Sequence, residues 1–398
     1  MSAADHLPPL QLKKNEDRRI RAGHLWIYSN EVDTARTPLK GRESGGLANI
    51  TDHRGKPLGT AYVNPHSLIS ARLISRRADT RPDRDWFARR ITRALVLRQR
   101  LYDAPYYRLI YGESDGLPGV VVDRFGDVLA VQITTLGMEM MGELFLDALD
   151  AVLEPAVIIL RNDSAARELE GLETYVDCVK GELPEQVLVR ENDTEFAFAA
   201  AGGQKTGWFF DHRDNRRQLQ TLVRDRRVLD VFSYVGAWGI EALSAGASEV
   251  VFVDSSATAL AQLEANLQRN GLAAQATHKG DAFAVLKGLI NDGERFDVVV
   301  VDPPAFIKRR KDMKAGQEAY QRINRLALRL LGEDGILVSA SCSWHLSREQ
   351  LINVVRHAGQ QAGRLVQIIH QGHQGGDHPV LPAMSETDYL KACFCRVI

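Results

Sequence analysis

The sequence predicts an α/β protein in which a Rossmann-like domain fills the C-terminal half, preceded by a β-rich domain and a small α+β domain. Three observations carry this. Beyond about residue 201, apolar strand candidates alternate with helical segments, the pattern of a parallel sheet covered by helices. From Leu10 to Ser75, short apolar runs are broken by turn residues. At 398 residues the chain exceeds what one core usually organises, so two or three domains are expected.

The first domain is expected over residues 8–80. In ANITDHRGKPLGTAYV, Asp52 to Gly55 joins two strands. The opening, LKKNEDRRIRAGHLWIYSNEV, sets Lys13, Lys14, Arg18, Arg19 and Arg21 ahead of Gly23-His24 and an alternating strand from Leu25 to Tyr28. A GHxW stretch with a later glycine hairpin resembles the PUA fold, a small RNA-binding pseudo-barrel. The resemblance implies that the five cations reach phosphates while Trp26 or Tyr28 stacks on a base, although both aromatics fit a core equally well. The second domain is expected over residues 81–200. Nine arginines fall between Arg76 and Arg100, with Phe87, Ile91 and Leu95 at helical spacing, which predicts a basic amphipathic helix. From Leu109 to about Ala201 the order reads β-β-α-β-β without a catalytic cluster, the pattern of a spacer or a substrate-orienting module.

The third domain is expected over residues 201–398. RVLDVF, EVVFVD, RFDVVVVD and GILVSAS are its buried strands, with helices starting near Ala237, Ser256, Ala282 and Gln317 and another over Ser347 to Gln361. RLVQIIH and DYLKACFCRVI add two final strands as an antiparallel pair.

Composition narrows the class. With 44% hydrophobic and 25% charged residues the chain is ordinary globular protein. It has no run of eighteen apolar residues and no apolar leader, so a cytoplasmic protein without membrane contact is expected. Cys178, Cys342, Cys393 and Cys395 show no CxxC spacing, which argues against a disulfide framework and a zinc site. His370, His373 and His378 share the loop HQGHQGGDHP with Asp377 as their nearest carboxylate, and no metal is expected there. Cys393 and Cys395 alternate on one strand face, as core residues do. Residues 1–108 hold 21 Lys and Arg against 11 Asp and Glu, and the remainder 29 against 40. A basic module joined to an acidic body points to an anionic partner, nucleic acid above all.

The chemistry-bearing motifs lie where strands end. LDVFSYVGAWG leaves a strand at Asp230, passes Phe232 and Ser233, and enters a helix through Gly236 and Gly239, a turn that lets backbone approach a cofactor. Asp254 closes the next strand, placed to accept both ribose hydroxyls of NAD or of S-adenosylmethionine (SAM). Asp281 can accept from an adenine amino group or simply cap its helix. VVVVDPPAF then sets Asp302 at a strand end before Pro303, Pro304 and Phe306. A D-P-P-x-aromatic loop resembles the target-site loop of SAM-dependent methyltransferases, with the acid on the base and the aromatic against it. SASCSW puts Cys342 just past the neighbouring strand. Chemistry at C5 of a pyrimidine explains a cysteine there, because that carbon becomes nucleophilic only after a thiolate adds to C6. The thiol needs activation, and His345 is one candidate.

On these residues, together with GGQKTGWFFDHRDNR from Gly202 to Arg216, the whole chain resembles the RlmI-type 23S ribosomal RNA cytosine-5 methyltransferases. The resemblance implies a Rossmann-like SAM-dependent methyltransferase domain after a β-rich PUA domain and a small α+β domain. It also implies Cys342 and Asp302 as catalytic residues, SAM as cofactor, and Lys205, Thr206 and Asp211 close to cofactor or base. The expected partner is large-subunit ribosomal RNA, with a homodimer as an option. The wider group of RNA cytosine-5 methyltransferases carries a second cysteine where this chain has Ala305, which leaves the base for the C5 proton to a tyrosine, water or Asp302. Two rival readings stay open: methylation of an exocyclic base nitrogen, and a non-catalytic SAM-binding RNA-binding factor.

Overall fold

A computed structural model describes residues 6–200 and 207–398. The chain divides into two compact units. One comprises Met1–Val187, Ala199–Trp208 and Gly376–Thr387; the other comprises Leu188–Phe198, Phe209–Gly375 and Asp388–Ile398.

The first unit carries two five-stranded sheets. Strands β1 (Pro9–Gln11), β2 (Trp26–Tyr28), β3 (Leu47–Thr51), β4 (Pro57–Val63) and β5 (Ile69–Ser75) run in the order β1-β3-β4-β5-β2, with the short helix α1 (Arg18–Ala22) between the first two. The predicted β3–β4 turn forms because Gly55 takes φ +82° and Asp52 Oδ1 accepts the N–H groups of Arg54 and Lys56 at 2.9 and 3.0 Å. Leu10, Ile27, Ile50, Ala61 and Leu73 fill its core.

Helix α2 (Arg84–Leu101) starts where Asp83 accepts the Trp86 N–H, and it buries Trp86, Phe87, Ile91, Ala94 and Arg98. The second sheet is built from β6 (Tyr106–Tyr111), β7 (Val120–Phe125), β8 (Val128–Ile133), β9 (Val157–Asn162) and β10 (Tyr175–Lys180), in the order β10-β9-β8-β7-β6. Helices α3 (Leu136–Glu139) and α4 (Gly142–Leu153) precede β9. This sheet holds two strands beyond the expected ones, β6 ahead of the pair and β10 after β9, while the strand expected near Phe196 lies in the second unit. Strand β6 was obscured by Arg108, whose charge sits in the sheet only because buried Asp123 on β7 accepts it through two 2.9 Å hydrogen bonds.

The second unit is the α/β body. Most of the hairpin β11 (Gln186–Glu191) and β12 (Thr194–Ala199) belongs to it, followed by α5 (Arg213–Gln220). Then come β13 (Arg227–Val231), α6 (Ala237–Ser244), β14 (Glu249–Asp254), α7 (Ala257–Arg269), β15 (Thr277–Lys279), α8 (Ala282–Asn291), β16 (Phe296–Val301), α9 (Met313–Leu330), β17 (Leu331–Ser341), α10 (Arg348–Ala362), β18 (Val366–His373) and β19 (Lys391–Val397). The sheet order is β15-β14-β13-β16-β17-β19-β18, parallel except for β19, which is antiparallel to both neighbours. The valine-rich strands β13, β14 and β16 are buried because helices cover both faces. Ser256, Asp281 and Ser347 cap α7, α8 and α10 with their side chains, which explains why those starts were legible. Among the described residues, no helix is long and apolar enough to cross a membrane.

One glycine sets how closely α6 approaches the sheet. A Cβ on Gly239 would sit 2.2 Å from a Phe252 ring carbon and 2.8 Å from Val250. Gly239→Ala should therefore cost about 1–3 kcal/mol in thermal unfolding. Gly288→Ala in α8, where nothing lies within 4 Å, should be neutral or stabilising. Equal melting temperatures for the two variants would contradict this packing.

Candidate active site

The parallel strands deliver their C-terminal ends to one edge of the sheet, where ligands bind in open α/β folds. After β13 the chain turns through Phe232, Tyr234 and Gly236, at φ +68°, +50° and +92°. Bulky residues rarely adopt this conformation, so surrounding bonds must hold it. The Phe232 and Ser233 N–H groups both donate to the Val253 carbonyl, and the Tyr234 N–H donates to Asp254 Oδ2 at 2.9 Å. Asp254 Oδ1 accepts from the Ser256 N–H at 2.8 Å. Beneath the loop, Asp230 Oδ2 accepts from the Gly239 N–H at 3.0 Å, while its Oδ1 and the buried Ser233 hydroxyl have no partner among the described residues. Burial pushes the Asp230 carboxyl up to about 7 against that one N–H, with Asp302 and Asp254 adding to the rise. These groups fit SAM: a buried, unsatisfied carboxylate oxygen suits the cationic amino group of an amino acid, and Asp254 keeps lone pairs for a ribose diol. Asp281 caps α8 through the Ala284 N–H at 3.0 Å and remains exposed.

Asp302 follows β16. Its Oδ1 lies 3.2 Å from His212 Nε2, and its Oδ2 accepts from the Trp238 indole N–H at 3.1 Å. Burial alone would raise this carboxyl, but the charge and hydrogen bond of His212 and the bond from Trp238 outweigh it and hold Asp302 below its ordinary value. The His212 and Trp238 rings pack 5.1 Å apart, and His212 Nδ1 meets the Asn215 amide at 3.2 Å. In the DPPAF loop Pro303 is buried and Pro304 exposed. Phe306 packs against Tyr320, with centroids 4.8 Å apart, and faces Phe232 and Phe283 at 6.3 and 6.2 Å.

Cys342 follows β17, half-buried between two buried serines. The Tyr320 hydroxyl hydrogen-bonds both of them, Ser341 Oγ and Ser343 Oγ, at 2.9 Å each. Ser343 Oγ also accepts from the Ile307 N–H at 3.3 Å, which ties this turn to the DPPAF loop. Lys391 is paired with Ser341 across the β17–β19 ladder, and its ammonium donates to the carbonyls of Ser343 and Tyr389 at 2.6 and 2.8 Å. Burial pulls the Lys391 ammonium down to about 8, opposed by the nearby Cys342 sulfur. His345 instead meets the Trp344 ring edge to face, with centroids 4.8 Å apart.

Sequence reasoning missed His212, Trp238, Tyr320 and Lys391. The first two lay inside quoted motifs, DHRDNR and GAWG. A lysine opening the apolar strand KACFCRVI was the remaining readable signal.

The other expected site residues are distributed as follows. Lys205 and Thr206 lie outside the described residues. In the first unit, Arg19 pairs with Glu31 at 2.6 Å, Arg21 pairs with Asp17 and Asp52, and Lys13 donates to the Asn30 carbonyl. Lys14 and Arg18 stay exposed. The Trp26 indole N–H donates to Glu113, and Arg19 lies over the Tyr28 ring. The three loop histidines separate: His370 meets Phe394 edge to face, His373 meets Asp388, and His378, in the first unit, meets Asp377.

Residues 10–76 match the family described as PUA-like domain, and residues 210–366 match the one described as Conserved hypothetical protein 95. Over 397 residues the chain is 37% identical to the ribosomal RNA large subunit methyltransferase I of Klebsiella pneumoniae (strain 342), covering 98% of each protein. The chain belongs to the ribosomal RNA large subunit methyltransferase I family. The Escherichia coli O139:H28 (strain E24377A / ETEC) protein of that name is 36% identical, over 98% of this chain and 99% of its own. Solved structures agree on the fold. One assigned as a methyltransferase complexed with SAH matches 98% of this chain and 100% of its own with TM-score 0.84 at 20% identity. Another, assigned as a SAM-dependent methyltransferase from Streptococcus mutans, gives 0.83 at 19% with the same coverage. This family member thus has the architecture expected from its sequence, a SAM-dependent methyltransferase fold following a PUA-like domain.

The Asp302 environment makes a signed prediction for this methyltransferase. His212→Gln keeps an N–H donor but removes the charge, so burial dominates and the carboxyl rises. The acid limb of log kcat against pH should move to higher pH than in the parent. A limb that stays in place would mean that His212 does not keep Asp302 ionised.

Proposed function

We propose that this chain uses SAM to methylate C5 of a cytosine in large-subunit ribosomal RNA, with Cys342 as nucleophile. The observation that carries the reading is the immobilised turn around Cys342, which follows the strand adjacent to the one that ends at Asp302. A packing cysteine needs no tyrosine clamp on both flanking serines and no buried lysine beside it; a nucleophile that must meet one ring carbon needs both.

When bound, SAM supplies an electrophilic methyl group. Asp254 holds its ribose, Asp230 its amino group and Asp281 its adenine, with the Phe232–Gly236 loop against it and Lys205 and Thr206 in the segment leading in. The Lys391 cation favours the Cys342 thiolate, which adds to C6 of the base. Ionised Asp302 accepts from the cytosine 4-amino group, and the proton that N3 gains comes from His212 through the carboxylate. Pro303 and Pro304 stiffen that loop, and Phe306 lies against the base. After C5 takes the methyl group, the C5 proton passes to the Asp302–His212 pair, the thiolate leaves with the C6–S electron pair, and the proton on N3 is lost to water. The transfer from C5 assigns the step that Ala305, standing in place of a second cysteine, cannot perform. The PUA-like domain contributes RNA affinity without chemistry.

Cys342→Ala should keep the fold and SAM affinity yet lose methyl transfer from labelled SAM to deproteinised large-subunit RNA, and the parent's product should map as 5-methylcytosine. Substantial transfer by Cys342→Ala, or a product methylated on nitrogen, would overturn the mechanism and favour chemistry by Asp302 and the DPPAF loop alone.

A further inference from the structure

Helix α2 presents a second basic surface that the site does not use. Arg89, Arg93 and Arg100 are all exposed, and their spacing of four and then seven residues puts them on one helix face, about 16 Å from end to end. None of the three has a hydrogen bond or ion pair among the described residues, whereas Arg19 and Arg21 near the N-terminus are consumed by internal carboxylates. The face opens on a cleft of about 800 Å³ within the first unit. A second cleft of about 460 Å³ shares Arg89 and Arg90 with it and adds Arg77 and Arg81, making the basic surface continuous.

The carboxylates lining the two clefts bond to partners other than Arg89, Arg93 and Arg100. Asp115 accepts both terminal nitrogens of buried Arg98, at 2.6 and 2.8 Å. Glu113 accepts the Trp26 indole, Asp83 caps α2, and Asp79 accepts from Leu7, Asn49 and His6. Arg90 is held in place, its guanidinium 3.3 Å from the Trp86 ring centroid and bonded to the carbonyls of Gly116 and Ile74. Burial, with the charges of Arg89 and Arg93 adding, pulls it down to about 10. Val96 and Leu97, 41% and 37% exposed, supply apolar surface between the arginines.

We infer that the α2 arginine face is a phosphate-binding track for the RNA substrate, additional to the PUA-like domain. Exposed guanidiniums without internal partners, set around one that is held in place and beside exposed apolar side chains, suit a polyanion carrying sugars and bases. The inference rests on the RNA reading above, and deepens it by naming where the backbone is gripped.

The test uses the full chain with Arg89, Arg93 and Arg100 all changed to Ala, and with all three changed to Lys as the charge-retaining control. Affinity for a labelled single-stranded RNA oligonucleotide is measured across a salt series, alongside methyl transfer to deproteinised large-subunit RNA. Each lost phosphate contact should reduce the slope of log K against log salt by about 0.7, so the Ala variant should lose about 2. It should also bind RNA at least roughly tenfold more weakly at low salt, with SAM affinity and kcat at saturating RNA unchanged. The Lys variant should retain most of the slope. A parent-like slope and affinity in the Ala variant, with the parent methylating RNA, would overturn the track and leave methyl transfer standing. A parent that binds RNA through these arginines but methylates none would do the reverse.

Discussion

The candidate site depends on the carboxylate of Asp302 being held ionised inside the protein. A charge at the buried end of a strand is tolerated only when donors surround it. His212 and Trp238 supply them from the turn before α5 and from α6, so one carboxylate locks three segments together. Helix α5 is anchored in turn by Arg216, buried between Glu191 and Glu241, which Asn192 and Gln220 also satisfy. Burial drives the Glu241 carboxyl well above its ordinary value, with Glu191 adding to the rise and Arg216 opposing it. The cost of this ionic cluster is met by packing around it, and its yield is the fixed direction of the His212 ring.

Topology does the corresponding work for Cys342. Parallel strands β13, β14, β16 and β17 all end at the same edge of the sheet. Strand β19 runs antiparallel to β17, so it begins at that edge, and its first residue, Lys391, arrives opposite Ser341. A cation thus reaches the cysteine turn from sequence about fifty residues away without any local motif. Tyr320 completes the turn from within the buried face of α9, its hydroxyl reaching both serines.

What could be read in the sequence was what local patterns encode. Valine runs announced the central strands, and Ser256, Asp281 and Ser347 announced helices by capping them. DPPAF and SCS announced the strand ends at which Asp302 and Cys342 stand. What could not be read depends on pairing across the fold. The run of cations from Lys13 to Arg21 looked like a free basic patch, yet Arg19 and Arg21 meet Glu31, Asp17 and Asp52. The unpaired arginines lay further on, in a helix that composition alone described as basic. Strand β6 was obscured because the partner of Arg108 stands fifteen residues away. Gly239 looked like a cofactor glycine, and in the fold it also admits Phe252.

The proposed covalent bond between Cys342 and the base is open to direct trapping. Large-subunit RNA transcribed with 5-fluorocytosine in place of cytosine offers a substrate whose C5 substituent cannot leave as a proton. Incubated with SAM and the parent protein, it should yield a denaturation-resistant complex, and mass spectrometry of the digested complex should place the nucleotide on Cys342. Absence of any such complex while unmodified RNA is methylated normally, or an adduct on a different residue, would contradict the account.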